Sequence, residues 1–310
     1  MKNTPKFKYY FLHPKYWVLW LIIIFFYLLV LFPYSFLYFF GKKIGRIAIY
    51  FMRERVSIVR KNLELCFPTL SMKERENMLI KNFESVGLGC IETSIAWFWP
   101  DWRIRKYFKI FGYEHIKKAL KKKGILIIGI HFLNLELGAR CFSLKKKGIG
   151  VYRPNDNPLI DWIQYWGRLR SSKKMLDRKN LKGMIKSLRD GEILWYAADQ
   201  DYGIKSSVFV PFFKIKKTAT TAGTYSLIKL SKPAVIPFLP KRLSDGSGYE
   251  LIFMPDISNK ISIENKIDIV TYINKIIEKT ILLAPEQYMW LHRRFKTRPK
   301  NEQSIYNYTI

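Results

Sequence analysis

The sequence predicts an α/β fold in which helices flank a mixed, largely buried sheet, preceded by one N-terminal transmembrane helix. Short apolar, β-prone runs bounded by Gly, Pro or Lys alternate with longer amphipathic segments, which is typical of such a sheet. A long uncharged run near the N-terminus predicts the membrane helix. No repeat or Gly/Ser-rich linker divides the remainder, so we expect an anchor over residues 1–41 and one domain over residues 42–310.

The predicted anchor comes first along the chain. From Tyr16 to Gly41 no residue is charged, and a helix over about residues 17–40 would span roughly 36 Å, enough to cross a bilayer core. The run is too long and bulky for a secretory signal, and no small-residue cleavage site follows it. We expect Pro33 to kink or end the segment. Lys and Arg are more frequent after the run than before it, which places the C-terminal bulk in the cytoplasm.

Helices and strands follow in order after the anchor. Apolar residues at three- and four-residue steps predict helices from about residue 44 to 98. Five apolar runs predict strands: 124–130, 148–153, 192–198, 234–240 and 250–255. Four amphipathic segments between them predict helices: 132–146, 158–170, 179–189 and 218–231.

Charge and cysteine content limit the partners. The chain of 310 residues has 54 Lys and Arg against 24 Asp and Glu, a net charge of +30, so its surface attracts polyanions such as anionic lipid, nucleic acid or an acidic protein. The three cysteines are far apart and show no metal-type spacing, which predicts neither disulfides nor a zinc site. A reducing compartment is therefore expected for the C-terminal domain.

His131 is the first candidate for chemistry. It directly follows the apolar run 124–130, and strand ends are where α/β folds expose functional groups. Glu136 lies five positions later, about 140° away around a regular helix, so the two could meet only if His131 lies in the turn before the helix. There Glu136 could fix the imidazole tautomer and leave a neutral base for a hydroxyl. No serine or cysteine nucleophile is evident, so the hydroxyl would belong to the substrate.

The H-x4-E pattern resembles the signature of the glycerolipid acyltransferase superfamily, and five blocks narrow the resemblance. They are VYRPNDNPLIDW at 151–162, ADQDYG at 198–203, SSVFVPFF at 206–213, ATTAGTYSL at 219–227 and PEQYMWLHRRFKTRP at 285–299. Together they resemble the lipid A late acyltransferases, especially the lauroyl and palmitoleoyl members, over the chain to about Pro299.

The resemblance implies an enzyme of lipopolysaccharide biosynthesis at the cytoplasmic face of the Gram-negative inner membrane. Acyl carrier protein would donate a fatty acyl group, most simply lauroyl, to a hydroxyl of a hydroxyacyl chain on a Kdo-bearing tetraacyl lipid A precursor. His131 would take the proton and Glu136 would orient His131. The partners are acyl carrier protein, the lipid A precursor and inner-membrane lipids, with no metal, organic cofactor or nucleic acid. We expect the acidic donor to dock on the lysine runs 121–123 and 145–147.

Further residues are candidates for substrate or oxyanion binding. Arg153 matches the block at 151–162 and could face the thioester oxygen or a phosphate, or could be a salt-bridged structural arginine. Asn134 could hold substrate or cap the following helix. The block at 198–203 lines the acceptor site in the family, yet a tight turn also explains its Gly. Four arginines lie in clusters beside aromatic residues and could bind phosphate or simply face lipid headgroups: Arg168, Arg170, Arg293 and Arg294. In the block at 198–203 the candidates are Asp199 and Asp201.

Three alternatives remain open at this stage. A lysophospholipid or glycerol-phosphate acyltransferase would share the His and Glu, but its usual phenylalanine-proline-glutamate-glycine run is missing. A non-enzymatic, basic membrane-associated binding protein would explain the anchor alone and would make His131→Ala silent. A nucleic-acid-binding protein would explain the charge but not the apolar run, and no zinc-finger, RNA-binding or helix-turn-helix signature occurs.

Overall fold

A central seven-stranded sheet lies between helices in the computed structural model, which describes residues 4–261 and 265–306. The helices are α1 (Trp17–Leu29), α2 (Tyr34–Phe51), α3 (Arg53–Cys66), α4 (Met72–Phe98), α5 (Asp101–Ile104), α6 (Tyr113–Leu120), α7 (Leu135–Ser143), α8 (Pro158–Leu169), α9 (Leu181–Arg189), α10 (Gly223–Ser231) and α11 (Lys266–Ile281). The strands are β1 (Phe108–Phe111), β2 (Ile125–Gly129), β3 (Gly148–Tyr152), β4 (Ser172–Asp177), β5 (Ile193–Ala197), β6 (Ser207–Phe212), β7 (Ile215–Thr221), β8 (Ala234–Arg242) and β9 (Tyr249–Phe253). The predicted α/β class is confirmed.

The strand order is β1-β9-β8-β2-β5-β3-β4, and β6 and β7 form a separate antiparallel hairpin. Strands β8, β2, β5, β3 and β4 are parallel, whereas β9 runs antiparallel to β8 and β1 runs parallel to β9. The carboxyl ends of the five parallel strands therefore share one edge, which we call the carboxyl edge. Ligands of open α/β sheets bind at such an edge.

Strand β2 is buried on both faces, as its continuous apolar run predicts. Leu126 and Ile128 pack in the core with α3 and α11, whereas Ile125 and Ile127 pack in the core with α4, α6 and α7. The alternation follows from the two-residue period of a strand. The central strand that carries His131 at its end is thus fixed by apolar packing on both faces.

The N-terminal apolar run forms two helices, so the prediction of one helix over about residues 17–40 is wrong. Among the described residues, no helix is both long enough and apolar enough to cross a membrane. The run breaks before Pro33, which lacks an N–H and restricts Phe32. The freed carbonyl of Val30 accepts hydrogen bonds from Trp99 Nε1 (2.6 Å) and from Arg103 (2.9 Å), which stabilises the break. The expectation that Pro33 interrupts the segment is confirmed.

Helix α2 packs closely on α4 through glycines. A Cβ on Gly45 would lie 2.0 Å from the carbonyl oxygen of Phe83, and a Cβ on Gly87 would lie 2.2 Å from the carbonyl oxygen of Gly41. Only residues without a side chain allow the two helix backbones to approach this closely. This contact joins the N-terminal helices to the rest of the chain.

Candidate active site

His131 lies at the carboxyl edge, two residues beyond β2 and just before α7. Asp199 lies two residues beyond the neighbouring strand β5, and the last residues of the two strands, Gly129 and Ala197, are register partners. The two side chains are therefore brought together by the pairing of parallel strands.

Asp199 holds His131 by two hydrogen bonds. Its Oδ1 lies 2.7 Å from Nδ1 of His131, and its Oδ2 accepts from the backbone N–H of His131 at 3.0 Å. Asp199 is fully buried, whereas a quarter of the His131 side chain is exposed. With Nδ1 protonated toward the carboxylate, the lone pair of the imidazole is on Nε2, which is the state of a general base.

Two opposing effects set the pKa of Asp199. Burial opposes its ionisation most strongly, but the charge of His131 and the hydrogen bonds from His131 outweigh burial and lower the pKa below its usual value. Asp199 therefore stays ionised and can stabilise an imidazolium on His131.

The predicted contact between Glu136 and His131 is wrong, because Glu136 pairs with Arg168. Nε of Arg168 donates to Oε1 of Glu136 at 2.7 Å, and Nη2 contacts the same oxygen. Both side chains are about a quarter exposed. Glu136 lies in the first turn of α7 and Arg168 in the last turn of α8. The H-x4-E pattern thus places Glu136 beside the site without placing it on the imidazole.

The segment 285–290 fixes the turn that carries His131. The carbonyl of His131 accepts from the N–H of Met289 at 3.0 Å, and the N–H of Leu133 donates to the carbonyl of Gln287 at 2.8 Å. Asn82 donates to the carbonyls on both sides of Gln287, at 2.9 Å and 2.7 Å. The sequence did not predict this structural role of the segment, although the segment belongs to the block at 285–299 that resembles the family.

Asn134 does not cap α7. Its side chain makes no capping hydrogen bond; instead Nδ2 donates to the carbonyl of Pro240 at 2.6 Å. Asn134 is 1% exposed, and its Oδ1 has no hydrogen-bond partner among the described residues. Asn134 therefore ties the start of α7 to β8.

Arg153 also lies at the carboxyl edge. Gly150 on β3 and Ile127 on β2 are both register partners of Trp195 on β5, which lies between them. Arg153 follows Gly150 by three residues and is therefore level with the residue just before His131, at two strand spacings or about 10 Å. Its guanidinium donates to Asp156 at 2.9 Å, and the two side chains are 60% and 90% exposed. An ion pair this exposed contributes little to stability, so Arg153 remains available to a ligand.

Asp201 organises a turn. Its Oδ1 accepts from the N–H of Gly203, whose φ is +80°, and its Oδ2 accepts from the N–H of Thr297 at 2.7 Å. Its own N–H donates to Nε2 of His292 at 3.0 Å. The tight-turn explanation of Gly203 is confirmed, and Asp201 connects the loop after β5 to the C-terminal segment.

The remaining candidate arginines contact protein groups. Arg170 donates to the carbonyl oxygens of Trp97 and Trp99, the latter at 2.8 Å. Arg294 is 2% exposed and donates to Ala219 and Thr220 on β7. Arg293 forms a 2.7 Å ion pair with Glu54. The structure thus does not bring these arginines together at His131.

The lysine runs at 121–123 and 145–147 lie at the opposite edge of the sheet. They directly precede β2 and β3, whereas His131 follows β2. A five-residue strand separates the edges by roughly 16 Å. Both runs flank strands of the sheet that carries the site, as the sequence predicts, but they lie at the edge opposite to His131.

The chain matches a known protein family over nearly its whole length. Residues 4–297 match the family model described as bacterial lipid A biosynthesis acyltransferase. The chain is 54% identical to a lipid A biosynthesis lauroyltransferase of Escherichia coli, over 99% of this chain and 100% of that protein. It is 48% identical to a lipid A biosynthesis acyltransferase of Haemophilus influenzae, over 99% and 100% of the two chains. It is 47% identical to a lipid A biosynthesis palmitoleoyltransferase of Escherichia coli, over 97% and 98%.

Proposed function

Because the chain belongs to the bacterial lipid A biosynthesis acyltransferase family and is an acyltransferase of that biosynthesis, we propose that it transfers a lauroyl group from acyl carrier protein. The acceptor is the hydroxyl of a hydroxyacyl chain on a Kdo-bearing tetraacyl lipid A precursor. Lauroyl is favoured over palmitoleoyl because identity is 54% with the lauroyltransferase and 47% with the palmitoleoyltransferase. The enzyme works at the cytoplasmic face of the inner membrane.

The hydrogen-bonded pair of His131 and Asp199 is the observation that supports this chemistry. Nε2 of His131 removes the proton of the acceptor hydroxyl, and the oxygen attacks the thioester carbonyl. The tetrahedral intermediate collapses, the carbon–sulfur bond breaks, and the imidazolium returns the proton to the leaving thiolate. Asp199 stabilises the imidazolium between these two steps.

The negative charge that develops on the thioester oxygen requires a hydrogen-bond donor, and we assign this role to Arg153. The alternative role of Arg153 is to bind a phosphate of the acceptor. Loss of one such donor costs about 2.7–4 kcal/mol. A defect of Arg153→Ala in kcat would support the oxyanion role, whereas a defect only in acceptor KM would support phosphate binding. Glu136 is a positioning residue that acts through Arg168, since its carboxylate contacts that guanidinium.

An acyl transfer assay tests the proposal. Membranes that contain the chain are supplied with a radiolabelled tetraacyl precursor and, separately, with lauroyl, myristoyl and palmitoleoyl thioesters of acyl carrier protein. We expect the lauroyl thioester to react fastest and His131→Ala to lose at least about a hundredfold in rate. Transfer to a lysophospholipid instead of the precursor would favour the alternative acyltransferase class, and an unchanged rate in His131→Ala would overturn the mechanism.

A further inference from the structure

The segment that precedes α1 is packed against the body of the chain. Phe11 is 2% exposed, and the rings of Phe7 and Phe11 lie 5.3 Å and 6.2 Å from the ring of Trp162 on α8. Leu159 of the same helix is fully buried in this cluster together with Tyr16. The N-terminal flank of α1 is therefore fixed to α8.

The segment that follows α1 is packed against the same body. In the last turn of α1, the ring of Tyr27 lies 5.4 Å from the ring of Phe98 at the end of α4, and the packing continues beyond the helix. Val30 is 1% exposed and accepts hydrogen bonds from Trp99 and Arg103. Both flanks of α1 therefore contact the domain that carries His131.

The outward faces of α1 and α2 are apolar. Exposed apolar residues cover a broad arc of α1 and recur at three- and four-residue steps on α2. Those that are 42–83% exposed are Trp17, Val18, Leu21, Ile22, Ile24, Phe25, Tyr27 and Leu28 on α1, and Phe36, Phe39, Ile47, Tyr50 and Phe51 on α2. An apolar surface of this extent is a site for interaction with a partner or a membrane.

Basic residues accompany this apolar surface. On α2, Lys43 lies over the ring of Phe39 and on the same face as Phe39 and Ile47, and Arg46 is also exposed while it pairs with Glu84. Lys15 lies over the rings of Tyr10 and Tyr16 before α1. Lysine and arginine beside an apolar helix face match a bilayer surface that carries anionic headgroups.

We propose that α1 and α2 form an in-plane anchor, which inserts its outward apolar face into one leaflet of an anionic phospholipid membrane. The described segment before α1 and the active site then lie on the same side of that membrane. This inference rests on the membrane residence proposed above and adds its topology and its contact surface.

The topology is tested with an impermeant maleimide. Lys6 before α1 and Lys300 near the C-terminus are both exposed, and each is changed singly to cysteine in a Cys90→Ser background, since Cys66 and Cys141 are buried. We expect both cysteines to react in inverted inner-membrane vesicles and neither to react in intact spheroplasts. Reaction of Lys6→Cys in spheroplasts, with Lys300→Cys protected, would overturn the inference and leave the proposed reaction standing.

The contact surface is tested with two matched variants. Ile47 on α2 is 54% exposed and Ile267 on α11 is 52% exposed, so Ile47→Glu and Ile267→Glu remove similar apolar area. With vesicles of phosphatidylglycerol and phosphatidylethanolamine, we expect at least about a tenfold loss of bound protein for Ile47→Glu alone, because a charge replaces an inserted side chain. Equal loss in both variants would overturn the role of α2. Failure of the wild-type protein to bind the vesicles would overturn membrane residence itself.

Discussion

The carboxylate of Asp199 lies 2.7 Å from Nδ1 of His131, although 68 residues separate the two along the chain. The contact arises because β2 and β5 are neighbours in the sheet and both side chains follow the ends of these strands. It makes Asp199, rather than Glu136, the residue that fixes the imidazole.

Asp199→Asn is expected to lower kcat by about 10²–10⁴. An amide can present its NH2 group to Nδ1, which would favour the tautomer with the proton on Nε2 and remove the base. Asp201→Asn is the matched control, since the carboxylate of Asp201 accepts hydrogen bonds from Gly203 and Thr297 and makes none to His131. We expect Asp201→Asn to lower Tm and to leave kcat nearly unchanged. A normal kcat in folded Asp199→Asn would refute the role of Asp199.

Glu136 and Arg168 are expected to act as a unit. A double-mutant cycle in kcat/KM with Glu136→Gln and Arg168→Gln should give a coupling of about 1–3 kcal/mol, since the side chains share a hydrogen-bonded ion pair. The corresponding cycle of Glu136→Gln with Asp199→Asn should couple more weakly. If that second coupling were the larger one, Glu136 would act on His131 after all.

The sequence identified His131 but not its carboxylate, for a reason that lies in the sheet order. Residues 124–130 and 192–198 are both recognisable as strands, but β3 and β4 lie between them in sequence and beyond β5 in the sheet. Spacing along the chain therefore pointed to Glu136, whereas pairing of β2 with β5 brings Asp199 to Nδ1. Only a three-dimensional arrangement distinguishes the two carboxylates.

The strands that the sequence missed lie at edges or outside the main sheet. Strand β4, SKKMLD, is an edge strand with exposed lysines, and β1 has only four residues. Strand β7 occupies the start of the segment predicted as a helix over 218–231, and α10 begins only at Gly223. Apolar patterning detects strands buried on both faces, and it detects half-exposed strands poorly.

Gly45→Ala is expected to destabilise the protein by about 1–3 kcal/mol, although alanine normally favours a helix. Its Cβ would meet the backbone of Phe83 and Glu84, which cannot move aside. Gly41→Ala is the comparison, because the nearest atom to its Cβ is the side-chain tip of Leu88 at 2.8 Å. Thermal unfolding should show the larger loss in Tm for Gly45→Ala; the reverse order would contradict the backbone contact.

The stability of the protein is expected to depend on His292 below neutral pH. Burial lowers the pKa of His292 to about 4, against about 6.5 in the unfolded chain. Between these values the unfolded chain binds more protons, so this contribution is complete above pH 6.5 and is lost as pH falls toward 4, up to about 3 kcal/mol. His292→Gln keeps an acceptor for the N–H of Asp201. The free energy of unfolding of His292→Gln should fall less steeply than that of the wild type as pH decreases through this window. An equal slope in the two proteins would contradict the role of His292.

We expect the proposed donor, acyl carrier protein, to dock at the carboxyl edge rather than on the lysine runs that the sequence suggested. Lys122 and Lys146 precede strands and lie at the far edge from His131, whereas Lys179 and Lys205 are exposed on loops that follow β4 and β5. The thioester must reach His131, and an acidic donor is guided by charges beside its destination. We therefore expect Lys179→Glu and Lys205→Glu to raise the KM for lauroyl-acyl carrier protein by about 3–10-fold and to weaken its salt dependence. The same charge reversals at Lys122 and Lys146 should leave this KM unchanged. A rise at Lys122 or Lys146 alone would place the docking surface at the opposite edge and would require a path for the acyl chain around the sheet.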